Sequence, residues 1–177
     1  LNRAMQRNPL LTEAMTRAYV FADASAAADP PHAPAYRSRA ADFGTRADAI
    51  LAKERALRDA FPGAAAVATE PVAHYLLLAG GLTDKTPTGF TNAVEQDTDP
   101  APVDIAAMLD LITGRRVAVL MFNDQTVTGA TRQVRDAAGQ AGVPVVDVTE
   151  TLPEGADYLS WQAGVADRLG AALRTPR

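Results

Sequence analysis

The chain has 177 residues, 47% of them hydrophobic but only 6% aromatic, and a formal net charge of -4. That is enough apolar material for one ordinary core, and the interspersed charges lack the basic stripe of a nucleic-acid binder, so no nucleic acid is expected as a partner. With no cysteine, disulfides, thiolate nucleophiles and thiolate metal ligands are excluded.

Leu1-Asn2-Arg3-Ala4-Met5 has neither the apolar core nor the cleavage site of a signal peptide. The missing initial methionine places the expected natural start upstream. No run is apolar and long enough to span a bilayer. Asn8 and Pro9 are an N-cap and a first helical residue, opening a helix to about Ala28 with Leu11, Met15, Ala18, Ala22 and Ala26 on one face. Asp29-Pro30 starts a second, alanine-rich helix that runs to about Ala60 and stops at Pro62-Gly63. Gly44 within it costs ~1 kcal/mol relative to alanine.

Beyond Gly63 the pattern alternates between strand and helix. Strands are expected at Ala65–Thr69, more weakly at Leu82–Thr86, then at Val117–Met121 and Val145–Val148. Helices are expected at Pro71–Ala79, Thr88–Gln96, from the Asp99-Pro100-Ala101-Pro102 cap to Thr113, at Thr128–Ala141 and at Ala156–Leu173. Helical crossovers of this length imply parallel pairing. The fold class is therefore α/β: a small parallel sheet of about four strands flanked by helices, with a long backbone helix and an extra N-terminal helix. Neither a Gly-x-Gly-x-x-Gly nor a phosphate-loop pattern occurs, so nucleotide binding has no support.

Ligands of open parallel sheets bind at the carboxyl ends of the strands. Thr69-Glu70-Pro71 and Thr149-Glu150-Thr151 each follow a strand, so both glutamates are sent to that edge. Gathered carboxylates hold a cation or do acid–base work, because close like charges raise each other's pKa. Taken alone, Glu70 reads better as a helix-start carboxylate favoured by the dipole, and Glu150 reads as part of a polar strand-to-helix loop. Asn123-Asp124-Gln125-Thr126 reaches the same edge, and Asn123 and Asp124 are the residues expected to orient the glutamates; the same stretch also reads as an Asx-capped turn. His74 lies four positions after Glu70, where two residues of one helix share a face, and His32 reads as exposed. No serine-nucleophile motif occurs. A carboxylate-dependent hydrolase would need an aromatic platform, and none adjoins the glutamates in sequence.

Further segments complete a pattern: Asp29-Pro30-Pro31-His32-Ala33-Pro34-Ala35-Tyr36, Ala68-Thr69-Glu70-Pro71-Val72, Gly81-Leu82-Thr83, Thr86-Pro87-Thr88-Gly89-Phe90, Phe122-Asn123-Asp124-Gln125-Thr126 and residues 142–155. In this order and spacing, residues 29–177 resemble the C-terminal lobe of the zinc/manganese class of ABC-transporter solute-binding proteins. The resemblance implies two α/β lobes bridged by a long helix, with a divalent metal, Mn or Zn, between them. It implies two histidine ligands from the N-terminal lobe, a His or Glu after the first strand of the C-terminal lobe, and an Asp or Glu after its last. The last two fall on Glu70 and Glu150, and glutamate at the first position is closer to the manganese type. Neither His32 nor His74 matches a ligand position, and the N-terminal lobe is missing, so metal binding is expected to be weak. The resemblance further implies a non-enzymatic protein of the cell envelope, outside the cytoplasm, whose partner is the membrane permease of an ABC importer. An apolar edge left by the missing lobe makes a homodimer an additional expectation.

Residues 4–27, including Arg7-Asn8-Pro9-Leu10-Leu11-Thr12-Glu13-Ala14-Met15-Thr16-Arg17-Ala18-Tyr19-Val20-Phe21-Ala22-Asp23-Ala24, resemble a helix in the ligand-binding domain of TetR-type repressors of steroid catabolism. This divides the chain at residues 1–28 and 29–177 and gives it the look of a chimera. The alternative function is thus a fragment of a TetR-type transcriptional regulator with no intact DNA-binding domain.

Overall fold

The computed structural model describes residues 7–176. The expectation for Leu1–Met5, and the start of the repressor-like segment at Ala4, lie outside the described residues. Helix α1 (Pro9–Ala28) begins where Asn8 and Pro9 require. The Asn8 side chain accepts the Leu10 N–H at 3.1 Å, satisfying one of the four donors that a helix start leaves unpaired. Leu11, Ala22 and Ala26 are buried and Met15 and Ala18 half-buried, so the helical spacing defines the face that packs. A single 3-10 turn (Pro30–His32) leads into α2 (Ala33–Ala60). Leu11 joins Ala47, Ile50 and Leu51 of α2 and Leu159 in one apolar cluster. Gly44 has a packing role, since a Cβ there would stand 2.5 Å from the Tyr19 hydroxyl of α1.

The sheet contains β1 (Ala65–Ala68), β2 (Thr83–Asp84), β3 (Val119–Asn123) and β4 (Val145–Val148) in the order β2-β1-β3-β4, all parallel. The helices between them are α3 (His74–Ala79), α4 (Thr88–Glu95), α5 (Pro102–Thr113) and α6 (Gly129–Ala141), and α7 (Tyr158–Leu173) closes the fold. The α/β architecture expected from the alternating pattern is the one observed. Side chains alternate across the pleat. Ala66, Ala68, Val119, Met121, Val146 and Val148 face a layer formed by α3, α7 and the end of α2. Val67, Leu120 and Phe122 face α4, α5 and α6 through Phe90, Met108, Ile112 and Val134.

Several local expectations differ from the structure. The 71–79 helix divides into a 3-10 turn (Pro71–Ala73) and α3, because the Glu70 backbone is extended (φ -151°, ψ 158°) and enters through a tight turn. Glu70 and His74 therefore do not share a helix face. His74 is exposed and packs edge-on against Tyr75, with ring centroids 5.3 Å apart. Asp99 does not cap α5, which starts after Ala101 without a side-chain cap. Finally, β3 begins two residues later than expected, and α7 starts at Tyr158 because Asp157 accepts the Leu159 and Ser160 N–H groups, both at 3.0 Å.

Candidate functional site

β1 connects to β2 on one side, and β3 then returns on the other side of β1. Between β1 and β3 the strand order reverses, and a crevice opens there at the carboxyl edge. Glu70 leaves β1 and Glu150 lies two residues beyond β4, so the two glutamates straddle the end of β3. Their strands are two positions apart, roughly 10 Å between backbones. That span suits two glutamate side chains leaning toward each other over Asn123.

The end of β3 holds Glu70 by both carboxylate oxygens. Asn123, fully buried, donates its Nδ2 to Glu70 Oε2 at 2.7 Å. The Thr126 hydroxyl donates to Glu70 Oε1 and itself accepts from Asn123 Nδ2 at 2.9 Å. Asn123 is held in turn: its N–H donates to Thr69 Oγ1 at 2.9 Å, and its Oδ1 accepts the Gln125 N–H at 3.1 Å. Gln125 does for Glu150 what Asn123 does for Glu70, but through the backbone. Its Oε1 accepts the N–H groups of Glu150 (2.8 Å) and Thr151 (3.1 Å), while its Nε2 donates to Thr151 Oγ1 at 2.6 Å. Trp161 Nε1 donates to Thr149 Oγ1 at 3.0 Å and fixes the same loop from α7.

Glu150 is exposed and Glu70 half-buried, yet the two carboxyls are within hydrogen-bonding reach. A hydrogen bond with Glu70, and next the Glu70 charge, hold the Glu150 carboxyl above its ordinary pKa. A cation between the two carboxylates would relieve the repulsion between them. Both carboxylates line a cavity of about 400 Å³ together with Glu95, at the end of α4, and Asp97 and Asp99 from the loop after it. Among the described residues, no group of three or more His, Cys, Asp or Glu side chains is placed to hold a metal ion. Glu70 and Glu150 are a pair.

Asn123 touches Glu70, whereas Asp124 faces a different cavity beside Asp147, Trp161 and Arg168. Asn123 is the last residue of β3, and Asp124 already belongs to the bend that follows, which turns its side chain away. Trp161 and the acidic stretch at residues 95–99 carried no sequence signal marking them for the site. Trp161 and Tyr75, distant from Glu150 in sequence, line a hollow beside it, so the glutamate does have aromatic neighbours.

Among solved structures, the chain is similar to the laminin-binding adhesin Lmb of Streptococcus agalactiae, with a TM-score of 0.65 and 18% identity over 86% of this chain and 56% of that one. It is similar to FpvC of Pseudomonas aeruginosa in complex with Mn2+, with a TM-score of 0.65, 17% identity and coverage of 93% and 59%. For a structure of ZnuA the TM-score is 0.67 and the identity 16%, covering 92% of this chain and 59% of that one. The TM-scores show the shared fold alone, and the chain spans little more than half of each. A shorter similarity joins it to the HTH-type transcriptional repressor KstR: 93% identity over 29 residues in Mycobacterium tuberculosis, and 84% over 32 residues in Mycolicibacterium smegmatis. Those stretches make up 13% and 16% of the repressors. The family model of the periplasmic zinc-uptake complex component A, ZnuA, matches residues 11–172, from the first turns of α1 into α7, and the chain belongs to that family of metal-binding solute-binding proteins.

Proposed function

We propose that this chain supplies half of a divalent-metal site, with Glu70 and Glu150 as its ligands and Asn123 as the residue that orients Glu70. The observation that carries this reading is the meeting of two glutamates from two separate strands at the switch point of the sheet. Each is anchored through the β3 exit, and together they leave a like-charge pair that a cation would satisfy. A carboxylate pair favours an oxygen-preferring ion such as Mn²⁺ without rejecting Zn²⁺. Two ligands open to water make the site weak, and further ligands would come from a segment facing the acidic cavity. On this reading the chain is the C-terminal lobe of an envelope solute-binding protein, it carries metal rather than catalyses a reaction, and its partner is the permease of an ABC importer.

Calorimetric titration with Mn²⁺ and Zn²⁺ tests the reading. Weak binding is expected, reduced further by Glu70→Ala and by Glu150→Ala. Tight binding that neither substitution changes would overturn it.

The 79–93% identity to KstR over 29–32 residues favours a second reading for residues 4–27 alone. On that reading the segment derives from a TetR-type repressor, the chain is a chimera joined near Ala28-Asp29, and α1 serves as a packing element against α2.

A further inference from the structure

Two cavities meet at Glu150, one carrying five carboxylates and the other only that of Glu150. One is the acidic cavity described above, lined by Glu70, Asp97 and Asp99. The other is a hollow of about 370 Å³ between the start of α1, the 3-10 turn and α7, walled by Leu10, Val72, Tyr75, Leu76, Trp161 and Val165. Pro71 and Glu150 belong to both. Leu10 is 46% exposed and Tyr75 41% exposed at the rim, so the apolar surface is open to a ligand. Volumes of this size suit small molecules, and such sites pair apolar walls with a few placed charges. A metal ion has no use for the apolar side, and a neutral hydrocarbon has none for the acidic side.

We infer that the paired cavities bind a small organic ammonium ion, its aryl or alkyl body in the hollow between Tyr75 and Trp161 and its cationic head at Glu150, facing the acidic cavity. Charge complementarity selects the sign of the head, since every titratable group lining the acidic cavity is a carboxylate. The aromatic rings favour a cation at their faces as well as an apolar body at their edges. The inference stands apart from the metal reading, because the apolar wall is irrelevant to a metal ion.

Trp161 is the single tryptophan of the chain and reports occupancy of the hollow by its fluorescence. Titration of the whole chain with benzylamine, cationic at neutral pH, should change that signal with an affinity at least about tenfold above that for benzyl alcohol. Tyr75→Ser and Leu10→Ser, both at exposed positions, should each weaken benzylamine binding severalfold while leaving Mn²⁺ titration unchanged. Glu150→Gln should remove the preference for benzylamine over the alcohol. Benzylamine binding in a chain that takes no Mn²⁺ would support this inference and count against the metal reading only. Equal affinity for amine and alcohol, or amine binding untouched by either rim substitution, would overturn it. A concentration-dependent dimer dispersed by Tyr75→Ser would also overturn it, by assigning the hollow to a second copy of the chain.

Discussion

Replacing Asn8 by alanine tests how α1 is fastened to the lobe. Asn8 is 1% exposed and does two things at once. It caps α1 through the Leu10 N–H, and its Nδ2 donates to Glu54 Oε1 of α2 at 2.9 Å. Glu54 is 2% exposed, and its Oε2 has no hydrogen-bond partner among the described residues. Loss of a helix cap costs ~1 kcal/mol, and loss of a hydrogen bond to a buried charged group ~1.5–3 kcal/mol. Asn8→Ala should therefore destabilise the fold by about 3 kcal/mol at pH 7.

The pH dependence has a definite sign. Burial raises the Glu54 pKa, and the Asn8 amide opposes that by favouring the charged form. A carboxyl whose folded pKa lies above its unfolded value of about 4.3 binds protons more tightly when folded. The penalty of ionising it is absent below the unfolded pKa and fully present above the folded one. The amide helps the charged form most, so the cost of Asn8→Ala should shrink as pH falls toward about 4. Urea unfolding followed by circular dichroism and Trp161 fluorescence measures both effects. A double-mutant cycle with Glu54→Met should return a coupling of ~1.5–3 kcal/mol. A loss under ~1 kcal/mol with no pH dependence, or additivity within ~0.5 kcal/mol in the cycle, would show that Asn8 and Glu54 are not coupled.

Two further outcomes follow from the charges at the carboxyl edge and at the last helix cap. Because Glu70 raises the Glu150 pKa, their repulsion is present above the folded pKa and gone once pH falls below about 4. Glu150→Gln should thus raise the melting temperature at pH 7 and leave it unchanged at that acid end; an equal gain at both would contradict the pair. Asp157 has its pKa lowered to about 2, first by the Ser160 N–H and then by the Ser160 hydroxyl, with Arg46 adding less. Its stabilisation is present above the unfolded value and lost as pH falls through about 2. Asp157→Ala should be less stable than the parent at pH 7, with the gap in acid-titrated circular dichroism closing toward that value.

Most of the fold was legible because the signals are local. Asn8-Pro9 marks a helix start through a side-chain cap and the fixed φ of proline, and Gly142 marks a helix end by adopting the left-handed cap (φ 69°). The short apolar runs that became β1, β3 and β4 are recognisable without a partner. The break after Glu70 was not, because Pro71 is compatible with a 3-10 turn and an α-helix alike. The use of Asp157 rather than Ala156 at the start of α7 depends on side-chain aim.

The same division applies to the site. Strand-then-helix alternation, and the parallel pairing it imposes, was enough to send Glu70 and Glu150 to one edge. That they meet across β3 depends on the order β2-β1-β3-β4, which is selected by how helices cover the two sheet faces and leaves no mark at either Thr-Glu pair. The choice of Asn123 over Asp124 beside Glu70 depends on where β3 ends, since Asp124 already lies in the bend beyond it. The convergence of Tyr75, Trp161 and Leu10 on Glu150 joins parts of the chain that only packing brings together. Sequence alone determined which residues stand at the ends of the strands, because backbone propensities act over a few neighbours. Which of them touch was decided by tertiary structure, because contact depends on strand order and on the burial of helices far along the chain.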